Sequence, residues 1–141
     1  MKGLPLTKPP YGHLTAIDLN KGEILWHVPF GDMPSIRKNP ALQGVTLPAQ
    51  LGVPGAPGAL VTKGGLIFVG GGDMALHAVD KLTGKDAWSM PLPRRTTATP
   101  MTYRSKAGRQ YVVIATGAGD DAALVAFAVG GEKTPTARSG R

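Results

Sequence analysis

The chain of 141 residues contains no cysteine. Disulfides, thiolate nucleophiles and cysteine-based metal sites are therefore excluded, and the redox compartment is left open. Aromatics make up only 6% of the residues, and acidic side chains number 9 against 16 lysines and arginines. No apolar run is long enough to cross a bilayer as a helix. The first residues, Met1-Lys2-Gly3-Leu4-Pro5, lack the apolar core of a secretory signal. The net charge of +7 raises nucleic acid or an anionic surface as a partner. The basic residues are scattered, however, with small clusters at Arg37-Lys38, at Arg94-Arg95 and near the C-terminus. No nucleic-acid-binding pattern accompanies them, so solvated turns and a basic tail are expected, and no nucleic-acid partner.

Turn formers are plentiful: Gly (20) and Pro (13) together make about 23% of the chain, which favours short strands over long helices. The chain is organised around Ala78-Val79-Asp80-Lys81-Leu82-Thr83-Gly84-Lys85-Asp86-Ala87-Trp88. An earlier copy, Ala16-Ile17-Asp18-Leu19-Asn20-Lys21-Gly22-Glu23-Ile24-Leu25-Trp26, keeps Ala, Asp, Gly and Trp in register 62 positions away. Each copy reads as a strand end, an Asp-x-x-x-Gly turn whose glycine takes positive φ, and a second strand ending in a large apolar ring. Two unrelated hairpins would give the same local reading. Repetition at this period points to stacked supersecondary units, with propeller blades the first candidate.

Two adjacent prolines, Pro9-Pro10, forbid a helix at the start. Strands are expected at 15–18 and 23–28 around the first turn. Periodicity fades over 29–57, which reads as a long excursion between two blades. Four strands follow in quick succession at 59–62, 66–69, 74–80 and 86–90, one complete up-and-down sheet. Three more are expected at 97–103, 110–116 and 124–129, and a disordered basic tail at 130–141. Strands thus come as two, four and three. The outer two sheets are incomplete, and open sheet edges are a liability in an isolated domain. The expectation is therefore a portion of something larger.

These residues carry a resemblance. The segments Pro9-Pro10-Tyr11-Gly12-His13-Leu14-Thr15-Ala16-Ile17-Asp18, Gly64-Gly65-Leu66-Ile67-Phe68-Val69, Ala98-Thr99-Pro100-Met101-Thr102-Tyr103 and Gly108-Arg109-Gln110-Tyr111-Val112-Val113-Ile114, with the tryptophan-ended stretch, resemble the C-terminal part of pyrroloquinoline quinone (PQQ) dependent dehydrogenases of the membrane-bound glucose dehydrogenase type. The resemblance covers about residues 9–129. It implies an all-β, partial β-propeller, one complete four-stranded blade between incomplete ones. It also implies an oxidoreductase acting on CH–OH groups of a sugar or alcohol, with PQQ and a Ca²⁺ or Mg²⁺ ion on the propeller axis. A quinone electron acceptor and a periplasmic or periplasm-facing location come with it. The family's general base and metal ligands would lie upstream of this chain, in an N-terminal propeller portion that is then its partner. Alone, the chain would be inactive and bind PQQ weakly or not at all. The alternative is a propeller-like repeat module for protein interaction or assembly, which has no reason to carry the 98–103 and 108–114 segments.

By the same resemblance Asp73, after Gly70-Gly71-Gly72, is the cofactor-binding candidate. It could hydrogen-bond a quinone-side group or help hold a pocket cation; the other reading is an Asx turn. No catalytic residue and no metal ligand are assigned. Gly119 in Gly117-Ala118-Gly119 stands where the glucose dehydrogenases have a histidine, which puts glucose in doubt. Asp120-Asp121 reads as a solvated pair. His13, His27 and His77 share no ligand spacing; His77 reads as structural, and Trp26 and Trp88 as interblade packing, Trp88 largely buried.

Overall fold

The computed structural model describes residues 3–130 except 56 and 97; the tail expected to be disordered lies, from residue 131, outside the described residues. Three antiparallel sheets follow one another along the chain. The first pairs β1 (His13–Asp18) with β2 (Glu23–Pro29). The second is the four-stranded meander β3 (Ala59–Val61), β4 (Leu66–Gly71), β5 (Ala75–Asp80) and β6 (Asp86–Pro91). The third holds β7 (Met101–Arg104), β8 (Gln110–Thr116) and β9 (Ala123–Ala128). The all-β partial propeller and its two-four-three grouping are what the strand signals predicted.

The inner strands β4 and β5 of the middle sheet are covered on both faces, which explains the unbroken apolar run Leu66-Ile67-Phe68-Val69. Ile67, Val69 and Val79 point one way, to Phe30, Leu14 and Trp26 of the first sheet and its exit. Leu76 points the other way, meeting Leu92 and Ile114, with Phe68 packed at the rim of that cluster. The period of two along each strand thus builds two cores, one on either side of a single blade.

The two Asp-x-x-x-Gly turns fold alike. Asp18 Oδ1 accepts from Asn20 N at 2.9 Å, and Asp80 Oδ1 accepts from Leu82 N at 3.0 Å and Thr83 N at 2.8 Å. Gly22 and Gly84 both adopt φ of +71°, and the register slips at the matched places, Ala16/Ile17 and Ala78/Val79. Such a bulge tightens local twist and turns the following Trp toward the neighbouring sheet.

The excursion has structure of its own: it contains a short helix α1 (Pro34–Arg37) and a 3₁₀ turn at Pro40–Leu42, and it returns to bury Leu51 completely. Tyr11 N donates to Leu51 O at 2.7 Å and Val53 N to Phe30 O at 2.8 Å, so the returning segment satisfies its backbone on the entry to β1 and the exit of β2. The strand expected at 97–103 begins only at Met101, because Thr96 Oγ1 is spent on the Ala115 carbonyl at 2.6 Å and Ala98 N folds back onto that hydroxyl. Trp88 is 40% exposed rather than largely buried; its ring meets the edge of Phe127 at 5.7 Å, and nothing among the described residues covers its outer side.

Candidate functional site

Alternating strand direction places the turn 72–74, the 29–58 excursion, the 92–100 segment and the 117–122 turn at one end of the sheets. Hydrogen bonds confirm the grouping. Arg95 Nε donates to Gly72 O at 3.0 Å, Gly117 N to Arg95 O at 2.9 Å, and Asp32 N to Asp73 Oδ2 at 3.3 Å. The opposite end carries the hairpin turns, including Leu82 and Lys106, and has none of these convergent polar groups.

Asp73 sits at the centre of this end. It precedes β5 by two positions, with Met74 between them in the left-handed region at φ 64°. Its carboxylate folds back against the Cα of Gly71, and a Cβ there would collide with Asp73 Oδ1. The glycine run therefore serves close approach, as expected, but the approaching group is the protein's own carboxylate. Asp73 lies in the turn ahead of β5, and the fold-back at Met74 brings its carboxylate against His77 on that strand. His77 Nε2 lies 3.1 Å from Asp73 Oδ2 and 3.3 Å from Oδ1, and Nδ1 lies 3.2 Å from Asp86 Oδ2 across the bulge on β6. The ring of Phe30 closes the site edge-on at 5.0 Å. Burial alone would lower the His77 pKa, but the hydrogen bonds and charges of Asp73 and Asp86 outweigh it and raise the imidazole to about 9. Burial likewise pushes Asp73 up, yet His77 holds its carboxyl below the ordinary range.

A second ion pair orders the excursion. The Asp32 carboxylate pairs with the Arg37 guanidinium and accepts from Leu51 N at 3.1 Å. Arg37 Nη2 also donates to Pro48 O at 3.0 Å and Ala49 O at 2.7 Å, tying the two limbs of the excursion together. The hydrogen bond with Arg37 sets Asp32 below the usual carboxylate range. Arg94 pairs with Asp121 at 3.1 Å on the surface, so Asp120-Asp121 is a solvated turn with one exposed ion pair. His13 and His27 stack at 4.2 Å on the exposed face of the first sheet, away from Asp73. Among the described residues no group of three or more His, Asp or Glu side chains is placed to hold a metal ion.

His77 is the site residue that sequence reasoning undervalued. Its nearness to Asp73 in the chain was visible, but the link to Asp86 depends on the bulge, which periodicity does not show. Arg95 was also missed: its position beside Gly72 comes from the segment 92–100 doubling back across the end of the sheets. The apolar groove of about 460 Å³ between the second and third sheets, lined by Phe68, Trp88, Val112 and Phe127, holds no titratable group and offers packing, not chemistry.

A model of the PQQ glucose/ethanol/alcohol dehydrogenase β-propeller domain matches residues 1–112. The chain belongs to the PQQ-dependent dehydrogenase β-propeller family. Among its relatives, a probable quinate dehydrogenase (quinone) of Xanthomonas campestris pv. juglandis is 44% identical over 117 residues, 82% of this chain and 15% of that protein. The quinoprotein glucose dehydrogenase A of Acinetobacter calcoaceticus is 37% identical over 120 residues, 82% of this chain and 14% of that protein. The quinohemoprotein alcohol dehydrogenase of Comamonas testosteroni superposes with a TM-score of 0.68 at 25% identity, over 96% of this chain and 19% of that one. The chain thus spans about one seventh of the length of the dehydrogenases it matches.

Proposed function

We propose that this chain supplies blades and one wall of the cofactor pocket to a PQQ-dependent dehydrogenase of sugars or alcohols, and that it is not catalytic by itself. The observation carrying this reading is the convergence of Asp73, Arg95 and the 117–122 turn at one end of a partial propeller. Asp73 is the cofactor-binding residue, accepting a hydrogen bond from the quinone side with the acceptor capacity its carboxylate keeps beyond His77 and Asp32 N. Arg95 is held on the Gly72 carbonyl, and its Nη groups find no protein acceptor among the described residues, so it suits an anionic group of the cofactor or substrate. The tryptophan-ended stretches join successive blades.

PQQ, when bound, supplies the hydride acceptor. This chain's residues bind and orient; they do not take the substrate proton. A general base needs a pKa near the working pH, and Asp73 is held below the ordinary carboxylate range by an imidazolium partner. That same cationic partner makes Asp73 a poor seat for a divalent ion, so the family's Ca²⁺ or Mg²⁺ is left to residues outside this chain. With Gly119 at the pocket edge no imidazole is offered there, and a hydroxylated substrate other than glucose is favoured. The complete enzyme is placed facing the periplasm and passes electrons to a quinone.

The test is dye reduction. The isolated chain should show no PQQ-dependent turnover with glucose or simple alcohols, with or without Ca²⁺. Fusion to an N-terminal propeller portion from a relative should restore PQQ retention, and Asp73→Asn should weaken that retention at least several-fold. Robust turnover by the isolated chain, or unchanged PQQ affinity in the fused Asp73→Asn variant, would overturn the reading.

A further inference from the structure

His77 is clamped between two acceptors from different segments, Asp73 ahead of β5 and Asp86 at the start of β6. An ionised carboxylate only accepts, and a neutral imidazole has only one N–H. A neutral ring would therefore set one nitrogen lone pair against a carboxylate. The geometry is satisfied only when both ring nitrogens carry protons. The His77 side chain is 9% exposed and Asp73 11%, so water does not readily replace that partner, while Asp86 at 37% stands toward solvent. Phe30 covers one side of the ring, and Gly71 brings backbone close to Nε2 on another. Nearby charges are turned elsewhere. The Asp32 carboxylate faces Arg37, Lys85 is exposed, and Arg95 reaches the Gly72 carbonyl.

Asp73 Oδ2, the oxygen nearer to His77, also receives Asp32 N, the first amide of the excursion after Gly31. Asp73 thus joins two things: the blade, through His77, and the excursion, through Asp32. Val53 and Leu51 pack behind this joint, so releasing Asp73 would loosen the cover of the first core as well.

We propose that His77 is the positioning residue for Asp73: as an imidazolium braced by Asp86, it fixes the Asp73 carboxylate and, through it, docks the 29–58 excursion on the blade. The meaning for catalysis rests on the assignment of Asp73 to the cofactor side; the docking does not. A charge is required, because the Asp73 carboxylate is buried and its ionised form must be neutralised, while Asp86, 37% exposed, braces the ring from the solvent side. Arginine at 77 can bridge the two carboxylates, whereas glutamine can form hydrogen bonds but cannot neutralise them.

The experiment uses the full chain labelled with ¹⁵N-histidine. Both nitrogens of His77 should be protonated through pH 8, and Asp73→Asn or Asp86→Asn should each move the deprotonation midpoint down by a unit or more. Amide-exchange protection at Asp32, Leu51 and Val53 should fall at least tenfold in His77→Gln and stay within twofold of wild type in His77→Arg. Should His77→Gln fail to fold, the wild-type chain alone decides, since protection at those amides should drop once the imidazole deprotonates. A singly protonated His77 ring at pH 7, or equal protection in the glutamine and wild-type chains, would overturn the proposal. In the fused form, His77→Gln should lose PQQ retention in parallel with Asp73→Asn, while His77→Arg keeps it. An intact clamp by NMR with PQQ retention indifferent to Asp73→Asn would instead sink the cofactor assignment alone.

Discussion

At the residue scale, the Asp73–His77–Asp86 cluster gives stability a pH window whose sides come from different groups. The His77 pKa is raised from 6.5 to about 9, so its contribution is complete below pH 6.5 and is lost as pH climbs through about 9. Asp73 is shifted down, so its contribution is present above 3.8 and disappears as pH falls through its lower folded value. At about 1.4 kcal/mol per unit, the histidine shift amounts to on the order of 3 kcal/mol shared among the three groups. Urea-unfolding midpoints should therefore be highest between about pH 4.5 and 6.5 and should decline steadily from there to about pH 9. His77→Arg should flatten the alkaline side and leave the acid side in place. An alkaline limb unchanged in His77→Arg would assign that loss to other groups. Trp88 belongs to the same scale: with 40% of its surface exposed and one edge contact to Phe127, Trp88→Ala should cost about 1–2 kcal/mol, below the 3–5 of a fully buried ring.

At the scale of elements, Trp26 adds a hydrogen bond to the packing of Leu14 and Phe30 that fastens the first hairpin to the middle sheet. Trp26 Nε1 donates to Lys81 O at 2.9 Å, and its ring lies over Gly84, where a Cβ would stand 2.7 Å from Trp26 Cε3. Gly84 also needs positive φ, so Gly84→Ala carries both backbone strain and a collision with the ring. It should destabilise by about 2–3 kcal/mol in thermal or urea melts. Gly22→Ala shares the φ but meets nothing within 4 Å and should cost about 1 kcal/mol. Equal costs would mean that Trp26 does not hold the sheets together. The hairpins themselves were readable because their information is local: an unbroken apolar run at Leu66-Ile67-Phe68-Val69 bounded by glycines, an aspartate three residues ahead of an amide to cap, a glycine where φ must be positive. The docking of the excursion was not. It depends on backbone pairing of Tyr11 with Leu51 and of Phe30 with Val53, which leaves no side-chain signature. The site was half readable for the same reason. Asp73 announced itself by its glycines, while the His77–Asp86 contact required the register slip between Ala78 and Val79.

At the scale of the whole molecule, charge and apolar surface are distributed unevenly. Lys21, Lys63, Lys81, Lys85, Lys106 and Arg109 occupy the hairpin turns at the end opposite Asp73, and none forms an ion pair among the described residues, as expected for solvated turns. Apolar surface lies instead along the flanks. β9 is the outer strand of its sheet and Leu124 on it is 73% exposed; Ile24 and Leu25 on β2 are 65% and 59% exposed. The groove between the second and third sheets opens beside Trp88. Unpaired strand edges and contiguous apolar flanks drive association, whereas a net charge of +7 opposes it. The two terms respond differently to salt: screening weakens the repulsion and leaves the apolar attraction intact. The isolated chain should therefore be most nearly monomeric at low ionic strength and self-associate as salt rises toward about 0.5 M, with a Debye length then of only a few ångströms. Sedimentation velocity across that salt range, at tens of micromolar protein, reads this directly. Leu124→Lys on β9 should suppress the association by placing charge on the open edge, without lowering the melting midpoint. A monodisperse, cooperatively melting monomer at every salt concentration would show that these flanks are self-sufficient, and would remove the main physical reason for reading the chain as part of a larger propeller.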